Sequence, residues 1–192
     1  MTHDTIVALS VLGVVGQVLI GLGILVGVLA LAGVRGPLDA VRNLLWGYEV
    51  WGAFVVASIA TGGSLFYSQV AHFTPCEFCW FQRVLMYPLS ILLLFVAARG
   101  DNRAARYLLP LPVVGAGTSI YHMLIEQGVI KEPAACRAGG GCATNWIFNA
   151  DFGYLTIPTL ALTAFLLLIG FLVLASTGAA EVPATLPAHA ER

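Results

Sequence analysis

Trp80 to Ala98, WFQRVLMYPLSILLLFVAA, holds one charged side chain, Arg83, close to one end. A helix needs roughly 20 consecutive apolar residues to cross the hydrocarbon core of a bilayer, so this stretch predicts a membrane span. Four further runs around it carry no Asp, Glu, Lys or Arg: Thr5 to Val34, Val50 to Pro75, Tyr107 to Ile125 and Phe152 to Ala180. The expected spans lie near 6 to 32, 50 to 70, 80 to 98, 107 to 125 and 154 to 175. Composition agrees, with 59% hydrophobic and 10% charged residues and a mean hydropathy of +0.89. Soluble domains carry about 25% charged residues, and this chain has too little polar surface to cover a body in water. Nine Lys and Arg in all leave no basic cluster for a nucleic-acid partner.

The first run is not read as a secretory signal, although Ala30-Leu31-Ala32 resembles a cleavage site. No basic residue precedes it, and it far exceeds a signal core of about 7 to 15 residues. The expected fold is therefore an all-α membrane protein, a four-helix transmembrane bundle with one additional N-terminal transmembrane helix. Its parts are an N-terminal helix and cytoplasmic linker over 1–47, a core over 48–175, and a disordered cytoplasmic tail rich in Ala and Pro over 176–192. Arg35, Arg42, Arg99, Arg103, Arg106 and Arg192 fall on one side if five helices alternate. Basic residues mark the cytoplasmic side, which puts the N-terminus and the loops 71 to 79 and 126 to 153 outside the cytoplasm.

All four cysteines, Cys76, Cys79, Cys136 and Cys142, fall in those two outer loops. The topology came from arginines alone, so this segregation to the compartment that permits disulfides is an independent agreement. Cys76-Glu77-Phe78-Cys79 is a CxxC at the mouth of the third span, a pattern that serves redox exchange, zinc binding and static bridging alike. Cys79 at a helix start meets the positive end of the helix dipole, and Arg83 lies one turn on, on the same face. Both favour a thiolate, the species that attacks disulfides. Arg83 inside a span is costly enough to need a reason; snorkelling to the headgroups is the bland one. Cys136 and Cys142 enclose Arg137-Ala138-Gly139-Gly140-Gly141, where glycines ease rearrangement; that suits a bridge that opens and closes, or a staple for the loop. Each pair could form its own disulfide. A four-thiolate zinc site fits less well, because such sites pair two short-spaced knuckles.

Cys76 to Arg83, read CEFCWFQR and followed by Met86-Tyr87-Pro88, resembles the signature of the DsbB family of disulfide-bond formation proteins, particularly its shorter BdbC-type branch. Gly63-Ser64-Leu65-Phe66-Tyr67-Ser68, Ser119-Ile120-Tyr121-His122 and the stretch from Phe152 to Thr159 are similar to that branch in order and spacing. The resemblance covers roughly 48 to 175. It implies a membrane enzyme that reoxidises a DsbA-like, thioredoxin-fold thiol oxidase and passes two electrons to a membrane quinone, menaquinone or ubiquinone. By the same resemblance Cys136 forms the mixed disulfide with the partner, and Cys142 attacks the Cys76–Cys79 bridge at Cys76. Cys79 then faces the quinone with Arg83 beside it; Gln82 and His122 are further expected quinone contacts. His72, just before the CxxC, is a weaker candidate for tuning its thiols.

Two features depart from the better-known DsbB pattern: the second cysteine pair is more closely spaced here, and an extra helix precedes the four-helix core. A vitamin K epoxide reductase-like protein also sets a CxxC beside quinone, but with the loop pair earlier in sequence. A structural membrane protein with two static disulfides would have no use for Arg83 or the Gly-rich loop.

Overall fold

The structure, a computed structural model, describes residues 2–138, 141–144 and 154–178. Gly139-Gly140, the stretch 145–153 with its Trp146-Ile147-Phe148 run, and the tail from 179 lie outside them. The described residues form α1 (Thr2–Leu31), α2 (Gly36–Leu45), α3 (Glu49–Gln69), α4 (Glu77–Arg99), a 3-10 turn (Asn102–Ala104), α5 (Ala105–Leu108), α6 (Pro110–Glu126), α7 (Ala134–Ala138) and α8 (Ile157–Gly178). Five stretches are long and apolar enough to cross a bilayer: His3–Leu31, Glu49–Gln69, Glu77–Arg99, Asn102–Glu126 and Ile157–Thr177. The chain is an all-α, multi-pass membrane protein.

Local chemistry sets the boundaries. Pro110 opens α6, where a missing N–H costs nothing. Gly100, at φ +65°, ends α4 in the left-handed conformation that glycine adopts without strain. The last span starts at Ile157 rather than 154, because the Thr156 hydroxyl accepts the Thr159 N–H at 3.4 Å in the manner of an N-cap. It also runs through Gly178, past the expected end at 175. Ser176 and Thr177 stay helical by returning their hydroxyls to the Val173 carbonyl at 2.9 and 3.0 Å.

The linker expected between the first two spans contains the helix α2. It is too short to cross a membrane, and Leu38, Val41 and Leu45 fall on one half-buried face while Asp39, Asn43 and Leu44 are exposed, the pattern of a helix lying on a surface. The reading by charge-free runs passed over it because Asp39 and Arg42 interrupt the stretch.

The core lies among α3, α4, α6 and α8. Val50, Ala53 and Ala57 on α3, Leu89, Leu93 and Ala97 on α4, and Phe165, Leu168, Leu172 and Ala175 on α8 recur at three- and four-residue intervals and are buried together. Lipid is as apolar as these side chains, so association depends on close packing through small residues. Gly115 shows this: a Cβ there would come within 2.3 Å of the Phe165 ring. α1 stands apart from this core and packs chiefly on α8.

Candidate functional site: two cysteine pairs at one end of the bundle

The CxxC is built into the end of α4 rather than preceding it. Cys76 is the N-cap residue, with extended backbone at φ −75° and ψ 173°, and its sulfur accepts the Cys79 N–H at 3.3 Å. One helical turn therefore brings the two sulfurs within 2.7 Å of each other. Both are free thiols, Cys76 buried and Cys79 partly exposed. Cys76 lies just outside the span. Its thiol is held well above the ordinary cysteine range, first by its hydrogen bond to the Cys79 sulfur and then by burial, against a smaller opposing influence of His122.

Cys136 and Cys142 form a disulfide with a Cα–Cα distance of 5.4 Å, inside the usual range. Cys136 sits on α7, and the chain returns through Gly141, whose N–H donates to the Cys136 carbonyl at 2.9 Å. The Glu132 carboxylate accepts the N–H of Cys142, and that of Ala143 at 3.3 Å. Cys76, Cys136 and Cys142 share one buried cluster with Ile125, flanked by Phe78, Cys79 and Ile130. Cys136 is 1% exposed, so its sulfur is closed to solvent in this arrangement.

His122, near the end of α6, stands between the pairs. Its Nε2 lies 3.5 Å from the Cys76 sulfur and 3.1 Å from the Cys142 carbonyl oxygen. A carbonyl only accepts, so Nε2 carries the hydrogen here; Nδ1 is buried without a partner among the described residues. Phe78 packs beside the imidazole at 5.7 Å between ring centres.

On the other side of Cys79 a cavity of about 290 Å³ opens between α1, α3, α4 and α8. Cys79, Gln82 and Arg83 line it, whereas His122 does not; the rest of its wall is predominantly apolar. Arg83 is fixed by Ser64 of α3: its Nε donates to Ser64 Oγ at 2.9 Å and its Nη2 to the Ser64 carbonyl at 3.0 Å. Tyr87 donates to the same Oγ at 3.2 Å, and the guanidinium lies 5.3 Å from the Trp80 ring centre, within cation–π range. The amide nitrogen of Gln82 is engaged by Ser119 Oγ at 3.1 Å, which ties α4 to α6.

Cys76, Cys79 and His122 bring three side chains of metal-ligating type within 4.8 Å of one another, but the Nε2 beside the Cys76 sulfur is committed as a donor to the Cys142 carbonyl. A four-thiolate site is not formed, because Cys136 and Cys142 are bonded to each other. His72 is exposed and holds φ +56° in the turn between α3 and α4. That turn lets the Phe73 N–H return to the Tyr67 carbonyl at 2.9 Å and its ring stack on Tyr67; no contact links His72 to the thiols.

Sequence reasoning missed Ser64, Ser119 and Glu132 as residues that hold the site. Ser64 and Ser119 were legible only as parts of family-like strings. Glu132 stands four residues before Cys136, just ahead of α7, and an acidic residue so near a cysteine could have drawn attention to it.

A family model described as "Disulfide bond formation protein DsbB" matches residues 48–175. Disulfide bond formation protein C of Bacillus subtilis is 44% identical over 130 residues, covering 65% of this chain and 90% of the relative. A probable disulfide formation protein of Deinococcus radiodurans is 39% identical over 62% of this chain and 83% of its own length. One of Coxiella burnetii is 39% identical over 70% and 92%. No solved structure matches.

Proposed function

This chain belongs to the DsbB family of disulfide bond formation proteins, and from that premise we propose that it is a membrane thiol:quinone oxidoreductase that reoxidises a DsbA-like, thioredoxin-fold partner. The chain is a multi-pass membrane oxidoreductase of disulfide formation. The thiol:quinone relay is supported by one arrangement. Two cysteine pairs share a buried cluster, and the pair on α4 also opens onto an apolar cavity beside a fixed arginine.

The exchange proceeds by residues already in contact. The partner's thiolate attacks Cys136 and breaks the Cys136–Cys142 bond, releasing Cys142 as a thiolate. The partner's second thiol then displaces Cys136, so the partner leaves with its disulfide and the loop holds two thiols. Cys142 attacks Cys76 in the closed Cys76–Cys79 bridge and releases Cys79 as a thiolate. Cys136 displaces Cys76 and restores the loop disulfide, and the electron pair now rests on the α4 thiols.

A bound quinone supplies the two-electron acceptor. Cys79 and Arg83 would hold it, since both line the cavity and the remaining wall suits an apolar molecule. Two of the five guanidinium N–H donors are used on Ser64, and the charge is fixed where a reduced oxygen would need stabilisation. Gln82 lines the same cavity while bracing α4 against α6. His122 serves on the other side, donating from Nε2 and keeping Cys76 and the Cys142 segment in register. The arginines Arg35, Arg42, Arg99, Arg103 and Arg106 gather at the end of the bundle opposite the cysteines. This supports an extracytoplasmic N-terminus and cysteine end in a cell membrane.

The test is quinone reduction by purified protein supplied with a reduced thioredoxin-fold partner, comparing the native chain with Cys79→Ser and Cys136→Ser. Loss of activity in both is expected. Thiol-independent reduction, or none from folded native protein with a competent partner, would return the cysteines to static bridges or metal ligands.

A further inference from the structure

The family match begins at residue 48, so α1 lies outside the region it covers. Yet one face of α1, Leu9, Leu12, Gly13, Gly16 and Leu19, lines the same cavity as Cys79 and Arg83. We propose that α1 is the outer wall of the acceptor site, and that this face holds the apolar tail of the quinone against α3 and α8. The inference rests on the quinone reading above and says which part of the chain grips that molecule.

The closest approach of α1 to α8 falls along the length where the cavity lies. Added Cβ atoms at Gly13 and Gly16 would come within 2.3 Å of Leu160 and 2.8 Å of Thr163 on α8, so the two helices are in close contact there. Gln17 fastens the same turn: its amide nitrogen reaches Thr163 Oγ1 at 3.5 Å, and its carbonyl oxygen accepts from the Tyr154 hydroxyl at 3.0 Å. Ile6 and Leu9 cover Tyr67 of α3. Beyond this stretch Gly21, Gly23 and Gly27 meet no neighbour within 4 Å, and Leu22, Ile24, Leu25 and Val28 are exposed. Small residues and interhelical hydrogen bonds are what join helices in lipid, and α1 uses them to close this cavity.

The cavity is polar where Cys79, Gln82 and Arg83 converge and apolar along α1 and α8, which fits a compact polar head with an apolar tail. Its volume of about 290 Å³ is near the lower limit for ligand pockets. It admits a ring and the start of a prenyl chain, and the rest of the tail follows α1 into the bilayer.

The experiment uses the full-length purified protein and a quinone carrying a photoreactive group on the first part of its tail. Labelling of residues 9–19, suppressed by excess unlabelled prenylated quinone, is expected. Label confined to α3, α4 and α8 would overturn the inference while leaving the quinone reading intact. Label on α1 displaced by phospholipid but not by quinone would make the groove a lipid seat and overturn it too. If the native protein reduces no quinone at all, both readings fall. A wedge variant adds a second readout: in Gly16→Leu the preference for prenylated over tailless quinone, as a ratio of kcat/KM values, should fall on the order of tenfold, the scale on which apolar pockets discriminate. An unchanged ratio in protein that still carries out thiol exchange would count against α1.

Discussion

The two cysteine pairs are a few ångströms from a common histidine, yet they are mounted differently. Cys76 and Cys79 occupy the first turn of a long helix, fixed by capping and by the packing of α4 in the core. Cys136 and Cys142 sit on a single-turn helix and a short return, pinned by the Glu132 carboxylate and one imidazole. The difference teaches a division of labour. In the proposed function the first pair hands electrons to a small molecule in the cavity, and it benefits from rigid placement because reacting groups must already be aligned. The pair that, in the proposed function, meets another protein's thiol is buried in the cluster around Ile125, so it has to lift, and the Glu132 and His122 contacts set part of that cost.

The sharpest way to separate the pairs is Arg83→Met. Removing a fixed charge beside the reacting centre typically lowers a rate by about 10²-fold or more, so quinone reduction should drop by that order. Single-turnover exchange between the partner and the loop pair should stay near native speed. Equal losses in both half-reactions would erase the distinction. Glu132→Gln acts on the other pair. It weakens hydrogen bonds to a charged acceptor, each worth about 1.5–3 kcal/mol, and should raise the rate at which a small dithiol reduces Cys136–Cys142 by about tenfold, since 1.4 kcal/mol is one decade. No acceleration would mean that His122 and packing alone hold the segment.

The smallest effect is read by alkylation of the reduced protein across pH. Cys76 is held above its ordinary value, so it remains protonated as pH rises through the usual cysteine range and should react more slowly than Cys79. In Cys79→Ala the leading cause of that shift is gone and burial remains, so Cys76 labelling should begin at lower pH, a severalfold gain under mildly alkaline conditions. Equal labelling of both native thiols would make the pair symmetric.

How far the sequence could be read follows from the same physics. Four charge-free runs and one interrupted only by Arg83 located five spans because charge is costly in hydrocarbon, and their ends moved by a few residues where caps such as Thr156 and prolines such as Pro110 intervened. α2 escaped because a surface helix mixes charge with apolar residues. At the site, spacing could put Arg83 on the face of Cys79, since that depends on helical geometry alone. It could not place Ser64 against Arg83 or Ser119 against Gln82, because those contacts depend on how separate helices pack. Nor could it set His122 between the pairs and away from the cavity wall, which depends on the face α6 turns toward α4.

The sulfur of Cys76 caps α4 while also belonging to the pair assigned to the proposed exchange, so the amide of Cys79 points at an atom whose bonding would change with every turn of that exchange. That amide is a gauge of electron occupancy. Its resonance frequency and hydrogen-exchange rate, followed in isotope-labelled protein, would register each arrival and departure of an electron pair without any added dye.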